Sequence, residues 1–379
     1  VPTEQQVREA LRGVLDPEIG RPIEDLGMLR GVAVDGDRVT IDVLITIEGC
    51  PLKDRITADV TNALAPLEGV AGVDVRLSPM SQEQREALVA KLRGGPAAPQ
   101  AKISFPPQTS IVAIASGKGG VGKSSVTVNL AAALAAEGHR VGVLDADVWG
   151  FSVPRMLGVS GQPVGFENMI LPLESHGVKV ISMGFFVPEE TPVIWRGPML
   201  HKAIEQFLGD VYWGDLDFLL CDLPPGTGDV SISLASFLPG ASMLVVTTPQ
   251  EAARKVAERA GKMAERTNLR PLGVVENMSY YVCPHCGGRD EIFGSGGGQE
   301  AADTLGVPLM AQVPLIPAVR AGGDTGTPIV VSDPDSPASV QLVEAARAVA
   351  RSTKTKVGKP LTLITSGAGG NGGGHHHHH

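Results

Sequence analysis

The chain has 379 residues, 43% of them hydrophobic and 19% charged, with 47 Gly and 29 Pro. That length exceeds one ordinary domain and suits two or three, and the apolar share builds a packed core, which excludes wholesale disorder. A net charge of −9 with no strongly basic segment argues against broad nucleic-acid binding, and no apolar run reaches the ~18 residues of a membrane span. No basic-then-apolar leader opens the chain, and four cysteines in this length make no disulfide framework, so a cytoplasmic protein is expected.

Residues 1–93 read as a small α+β unit. Thr3 is placed to N-cap a helix carrying Val7, Leu11 and Val14. Val32–Val34 and Val39–Ile45 flank the polar turn Asp35-Gly36-Asp37 as a hairpin, and a helix at Ile56–Leu64 and a strand at Val73–Leu77 follow. Residues 94–109 are a Gly/Pro-rich linker. From 110 to 351 short β-branched runs alternate with helical stretches: Ile111–Ala115, Val141–Leu144, Val178–Ser182, Phe218–Cys221, Leu244–Thr247 and Gly273–Val275. The alternation predicts an α/β domain, a parallel sheet with helices on both faces. Residues 352–379 show no periodicity, and His375–His379 read as a purification tag behind a Gly-rich spacer.

The run Ile111–Ala115 leads directly into Gly117-Lys118-Gly119-Gly120-Val121-Gly122-Lys123-Ser124, then Ser125 and a helix over Val126–Ala136. This is G-x-x-x-x-G-K-S in the strand–loop–helix setting of a P-loop. Glycines let backbone N–H groups converge on phosphate oxygens at a helix N-terminus. Lys123 is expected at the β- and γ-phosphates and the Ser124 hydroxyl on Mg²⁺. Asp222 ends the run Phe218–Cys221 as the acidic partner of that Mg²⁺, and Gly226 and Gly228 let backbone approach the γ-phosphate. Asp145 and Asp147 end the run Val141–Leu144 at the ligand-binding edge of such a sheet, although either is also a residue type that caps helices or shapes loops.

Lys118, an extra cation just after the first Gly, resembles the deviant Walker A loop of the MinD, nitrogenase iron protein and Mrp group of ATPases. The resemblance implies a homodimer in which Lys118 reaches the partner's nucleotide, as an arginine finger does. It also implies that Asp147 orients the attacking water and that Asp145 supports Mg²⁺. Asn277, two residues past the run ending at Val275, matches the group's base-contacting Asn, and the absence of an Asn-Lys-x-Asp motif favours ATP over GTP.

Cys283-Pro284-His285-Cys286 is a C-x-x-C pair, two of the four ligands that zinc or an iron–sulfur cluster needs. Two chains supplying one pair each complete the set. A bridging cluster, of the [4Fe–4S] type, and a bridging zinc ion stand open on the residues alone. A thioredoxin-like couple fits less well, because no helix start lies nearby. His285 reads as an exposed loop residue and Cys221 as a buried strand hydrophobe. Asp222-Leu223-Pro224-Pro225-Gly226-Thr227-Gly228-Asp229, Glu276-Asn277-Met278-Ser279 and Ile292-Phe293-Gly294 then make the resemblance specific to the Mrp/ApbC family of iron–sulfur cluster carrier ATPases. Asp16-Pro17-Glu18 and Gly49-Cys50-Pro51 resemble the small iron–sulfur maturation domain often fused to bacterial members, where Cys50 is a candidate contact for a cluster in transit. The resemblance implies ATP hydrolysis, a cluster held between two subunits, and delivery to apo iron–sulfur proteins, with cluster scaffold proteins as further partners and neither nucleic acid nor membrane among them. A ParA/MinD-type positioning ATPase, a nitrogenase-like reductase and a zinc-bridged scaffold are the alternatives.

Overall fold

The computed structural model describes residues 1–17, 19–46, 53–93, 103, 105–147, 150–166, 169–186, 197–226, 232, 235–238, 240–250, 253–283 and 285–353. The linker over 94–102, the tail from 354, Glu18, Thr227, Gly228, Asp229 and Cys50 lie outside these residues.

The chain opens with helix α1 (Glu4–Leu11). Thr3 and Gln6 form a reciprocal capping box, which satisfies two of the free N–H groups at the helix start. The helix ends at Leu11, earlier than the apolar spacing predicts; Val14 is buried from the turn beyond it. Strands β1 (Leu29–Asp35) and β2 (Arg38–Ile45) form the expected hairpin around Gly36, whose φ of 61° is the left-handed geometry a tight turn needs. Helix α2 (Lys53–Leu64) crosses back, so that β3 (Gly72–Pro79) pairs parallel with β2, and helix α3 (Gln82–Arg93) follows. Val7, Leu11, Ile41, Val60 and Leu64 fill this small core, and Met169 and Leu171 from the large unit pack into it.

The large unit is built on one sheet from β4 (Ser110–Ala115), helix α4 (Lys123–Ala136) and β5 (Val141–Asp145) onward. Short helix α5 (Val153–Met156) leads to the ribbon β6 (Val164–Phe166) and β7 (Met169–Leu171). Strands β8 (Leu173–Ser175) and β9 (Val178–Ser182), helix α6 (Gly197–Gly209), β10 (Phe218–Asp222), β11 (Ser242–Thr247) and helix α7 (Ala253–Thr267) come next. The chain continues as β12 (Arg270–Val282), β13 (Arg289–Asp290), helix α8 (Gly297–Leu305) and β14 (Leu309–Leu315). Helices α9 (Pro317–Thr325), α10 (Ile329–Ser332) and α11 (Pro337–Thr353) close the fold.

The strand order is β13-β12-β11-β4-β10-β5-β9-β8, with β14 also on β12. All neighbours are parallel except β8 on β9 and β13 on β12, so the predicted parallel sheet carries one short antiparallel strand near each edge. Two apolar layers cover it: α6, α7 and α8 contribute Phe207, Val256 and Ala301 on one face, and α4 and α11 contribute Leu130 and Leu342 on the other. With both faces covered, β5, β10 and β11 are buried along their whole length, which explains their unbroken apolar runs. Strand β12 departs most from expectation: it runs on from Val275 through Asn277 to Val282, because β14 and then β13 pair with its extension. Among the described residues no helix is long and apolar enough to cross a membrane.

Leu130 is 1% exposed in the helix that follows the P-loop. Leu130→Ala is expected to cost about 3 kcal/mol through lost transfer energy and the cavity left behind. A lowered urea midpoint for unfolding of the large sheet checks this, and an unchanged midpoint refutes it.

Candidate phosphate site and cysteine knuckle

The loop after β4 turns sharply enough to bring its backbone round on itself. Gly120 and Gly122 have φ of 78° and 79°, open to glycine at little cost. Gly117 packs against α7, where a Cβ would stand 2.5 Å from Val256 Cγ1. Val121 is buried, Gly119 is exposed, and Ser125 faces along the helix with its carbonyl accepting from Asn129 Nδ2 at 2.8 Å. Gly226 N–H donates to Ser116 O at 2.9 Å, which draws the chain after β10 against the loop.

Asp222 is fully buried at the end of β10, between β4 and β5. Lys123 Nζ, itself 6% exposed, lies 2.7 Å from Asp222 Oδ1. Ser124 Oγ donates to Asp222 Oδ2 at 2.5 Å and Thr127 Oγ1 donates to Oδ1 at 2.8 Å. Thr127 was not singled out from sequence; its signal is its place one helical turn after Lys123. These oxygens form a hard donor set that fits Mg²⁺.

Asp145 stands beside Asp222 in register on β5. Its carboxyl accepts from Ser182 Oγ at 3.0 Å, from Asp147 N at 3.2 Å and from Val153 N at 3.3 Å. Ser182 is a second residue missed from sequence, and its signal is a polar end to β9, the strand next to β5. Burial, and then the charge of Asp222, push the pKa of Asp145 up to about 7; the bonds from Ser182 and Asp147 and the charge of Lys123 oppose this. Asp147, also buried, accepts from Gly150 N at 3.0 Å. Asn277 Nδ2 donates to Val121 O at 2.9 Å, which joins β12 to the phosphate loop. Lys118 Nζ donates to Gln250 Oε1, in the segment that follows β11. Gln250, 132 residues away, carried no signal in the sequence.

The cysteine pair lies just past the end of β12, in the turn to β13. Cys283 N–H donates to Gly288 O and Gly287 N–H donates to Cys283 O, both at 2.9 Å, so the pair sits in a tight knuckle at the tip of the β12–β13 hairpin. Backbone N–H groups of His285 and Cys286 point at Cys283 Sγ and lower its pKa. That is the electrostatic setting of a thiolate ready for a metal. His285 is exposed, and the Arg289 guanidinium stacks 3.8 Å over the Tyr280 ring beside the knuckle. Among the described residues no group of three or more His, Cys, Asp or Glu side chains gathers as a metal centre, so the knuckle offers two ligands. Cys221 stands apart: it is buried in β10, and burial pushes its thiol pKa up.

The raised pKa of Asp145 has a consequence for stability. The folded protein holds a proton there that the unfolded chain releases near 3.8. The stabilisation is complete below that range and is lost as pH rises through about 7. The urea midpoint of the nucleotide-free protein is expected to fall as pH rises from about 5 to about 8, and Asp145→Asn to flatten the fall. A pH profile identical in the two proteins rules this out.

Two family models match the chain. One, described as a NUBPL iron-transfer P-loop NTPase, covers residues 108–350, and the other, described as an iron–sulfur cluster assembly protein, covers residues 4–75. An iron–sulfur cluster carrier protein of Mycobacterium leprae is 51% identical over 94% of this chain and 95% of its own length. One of Synechocystis is 43% identical over 92% of this chain and 97% of its own. The solved structure of a nucleotide-binding protein from Archaeoglobus fulgidus in complex with ADP is 36% identical, covers 60% of this chain and 90% of its own, and superposes with a TM-score of 0.54. With a P-loop and a cysteine knuckle on one sheet, and relatives matched over nearly their whole length, the chain belongs to the iron–sulfur cluster carrier family of P-loop NTPases.

Proposed function

We propose that the protein is a cytoplasmic, homodimeric ATPase that carries an iron–sulfur cluster, of the [4Fe–4S] type, between the Cys283/Cys286 pairs of two subunits and hands it to apoproteins. The observation that carries this reading is the knuckle: two thiols with backbone N–H groups directed at Cys283 Sγ, just past the end of the strand that bonds the phosphate loop. Two thiols leave a tetrahedral metal half-coordinated, and a second chain supplies the rest. The small unit (residues 1–93), the linker (94–109), the ATPase unit (110–351) and the tail (352–379) are the working divisions we assign.

In the ATPase unit the backbone N–H groups of Gly117–Ser125 and the start of α4 hold the phosphates. Lys123, now paired with Asp222, has a second partner when the γ-phosphate arrives. Ser124 and Asp222 hold Mg²⁺, which offsets charge on the phosphate oxygens, and Asp145 supports them. Asp147 orients water for attack on the γ-phosphate, and Asn277 contacts the adenine. Lys118 leaves Gln250 and serves the partner subunit's nucleotide, where a cation in trans meets the charge that develops in the transition state.

Anaerobic reconstitution followed by iron, sulfide and zinc assays tests the cargo. Iron and sulfide bound per dimer, and lost in Cys283→Ala with nucleotide binding kept, are expected; zinc without sulfide would make the knuckle a zinc bridge and sink the carrier reading. Lys118→Ala is expected to lower the hydrolysis rate by a factor of about 10³ or more while ADP affinity stays near that of the parent. Equal losses in rate and affinity count against a role in trans.

A further inference from the structure

Glu276 is fully buried in β12 and plays no part in the phosphate chemistry described above. Three donors meet its carboxyl group. Ser279 Oγ donates to Oε1, Gln312 Nε2 donates to Oε1 at 2.9 Å, and the backbone N–H of Gly298 donates to Oε2 at 2.5 Å. The donors come from three pieces of chain: β12 itself, β14 and the first turn of α8. The last brings the positive end of a helix to the carboxyl. Gly298 must be glycine for this approach, since a Cβ there would stand 2.6 Å from Glu276 Cβ.

These contacts lie at the root of the cysteine hairpin. The pairing of β12 with β14 shifts register between Asn277 and Tyr281, and Met278 takes a φ of 56°, which is uncommon outside glycine. From there the chain runs out to Cys283 and Cys286, returns through β13 and enters α8 at Gly297. Ser279 on the way out and Gly298 on the way back hold the same carboxyl. The neighbour on the other side, Asn277, holds Val121 of the phosphate loop. Met278 Cε lies 3.6 Å from where a Cβ on Gly122 would stand, so it sits close beside that loop.

We propose that Glu276 is the positioning residue that fixes the root of the cysteine hairpin and ties its placement to the phosphate loop. The proposal rests on Cys283 and Cys286 being metal ligands. Glutamine at 276 keeps the size but puts an NH₂ group, a donor only, where one acceptor oxygen stood. If the NH₂ faces Gly298 N–H, donor meets donor; if it faces Ser279 and Gln312, both must turn to present oxygen, and either way the bonds that fix the hairpin's root are rearranged. Misplacing two ligands through their outer support weakens metal capture without touching either thiol.

The test is an anaerobic Co²⁺ titration of the full chain, with and without ADP, followed by the thiolate-to-cobalt charge-transfer band, a signature the histidine tail does not give. In the parent protein the band is expected, with an affinity that ADP shifts. In Glu276→Gln the Co²⁺ affinity is expected to drop about tenfold or more, with the ADP-induced shift gone and ADP affinity retained. Ser279→Ala removes one donor and leaves the carboxyl; a smaller loss in the same direction is expected, and it serves as the test if Glu276→Gln does not fold. Unchanged affinity and ADP response in both variants overturn the proposal. ADP affinity that falls in step with Co²⁺ affinity also overturns it, because the whole sheet edge has then loosened. An ADP-insensitive parent protein removes the tie to the phosphate loop. Absence of any thiolate band in the parent protein instead overturns the metal-ligand reading beneath the proposal.

Discussion

The buried pair of Lys123 and Asp222 is the constraint around which the P-loop unit is arranged. Asp222 ends a strand flanked on both sides, so no water reaches it, and an ion there is costly unless it is fully partnered. Lys123 at 2.7 Å and two hydroxyls supply the partners. Breaking such a pair from one side strands the other charge, typically at a cost of about 3–5 kcal/mol. The requirement propagates outward. Lys123, Ser124 and Thr127 meet Asp222 only if the helix starts at Lys123, and it starts there only because Gly120 and Gly122 turn the loop in left-handed backbone. The elevated pKa of Asp145 follows from the same placement, since a second carboxyl one strand away shares the buried edge.

Strand β12 extends that edge toward the second site. A strand advances about 3.3 Å per residue, so the six steps from Asn277 to Cys283 span at most about 20 Å, less the shortening at the Met278 break. One covalent, hydrogen-bonded element thus touches both. A distance of this kind needs a rigid body to carry a displacement, and β12 is held on one side by β11 and on the other by β14 and β13. The break at Met278 is where it departs from regular strand, and Glu276 and Ser279 brace that break from either side.

Local features were legible in the sequence and contacts across the chain were not. The P-loop reads from its spacing because eight consecutive residues carry the whole function of turning backbone toward phosphate. The central strands read from unbroken apolar runs, since burial on both faces removes any alternation. The apolar run of β12 ends at Val275, where polar Glu276, Asn277 and Ser279 follow; its continuation depends on partners contributed by β13 and β14. The spacing of Val14 suits helix α1, yet it is buried from the turn beyond it. Ser182 and Gln250 answer to strands and loops far away in sequence, and only the folded register brings them to Asp145 and Lys118.

The three described cysteines show how the fold divides one chemistry into unlike parts. Cys221 lies inside β10 with Asp222 next to it, and both burial and that charge disfavour its thiolate, so it behaves as a small apolar side chain. Cys283 sits at a hairpin tip where two backbone N–H groups favour its thiolate, and Cys286 is exposed beside it. A permanent metal site gains by closing all four positions in one chain. The site proposed here, with two ligands per chain, gains something different, because its hold on a cargo depends on a second subunit that can separate. In the proposed dimer, cargo affinity then depends on the subunit interface, where Lys118 meets the partner's nucleotide, and separating the subunits breaks the metal–thiolate bonds to one Cys pair and leaves the cargo on two ligands.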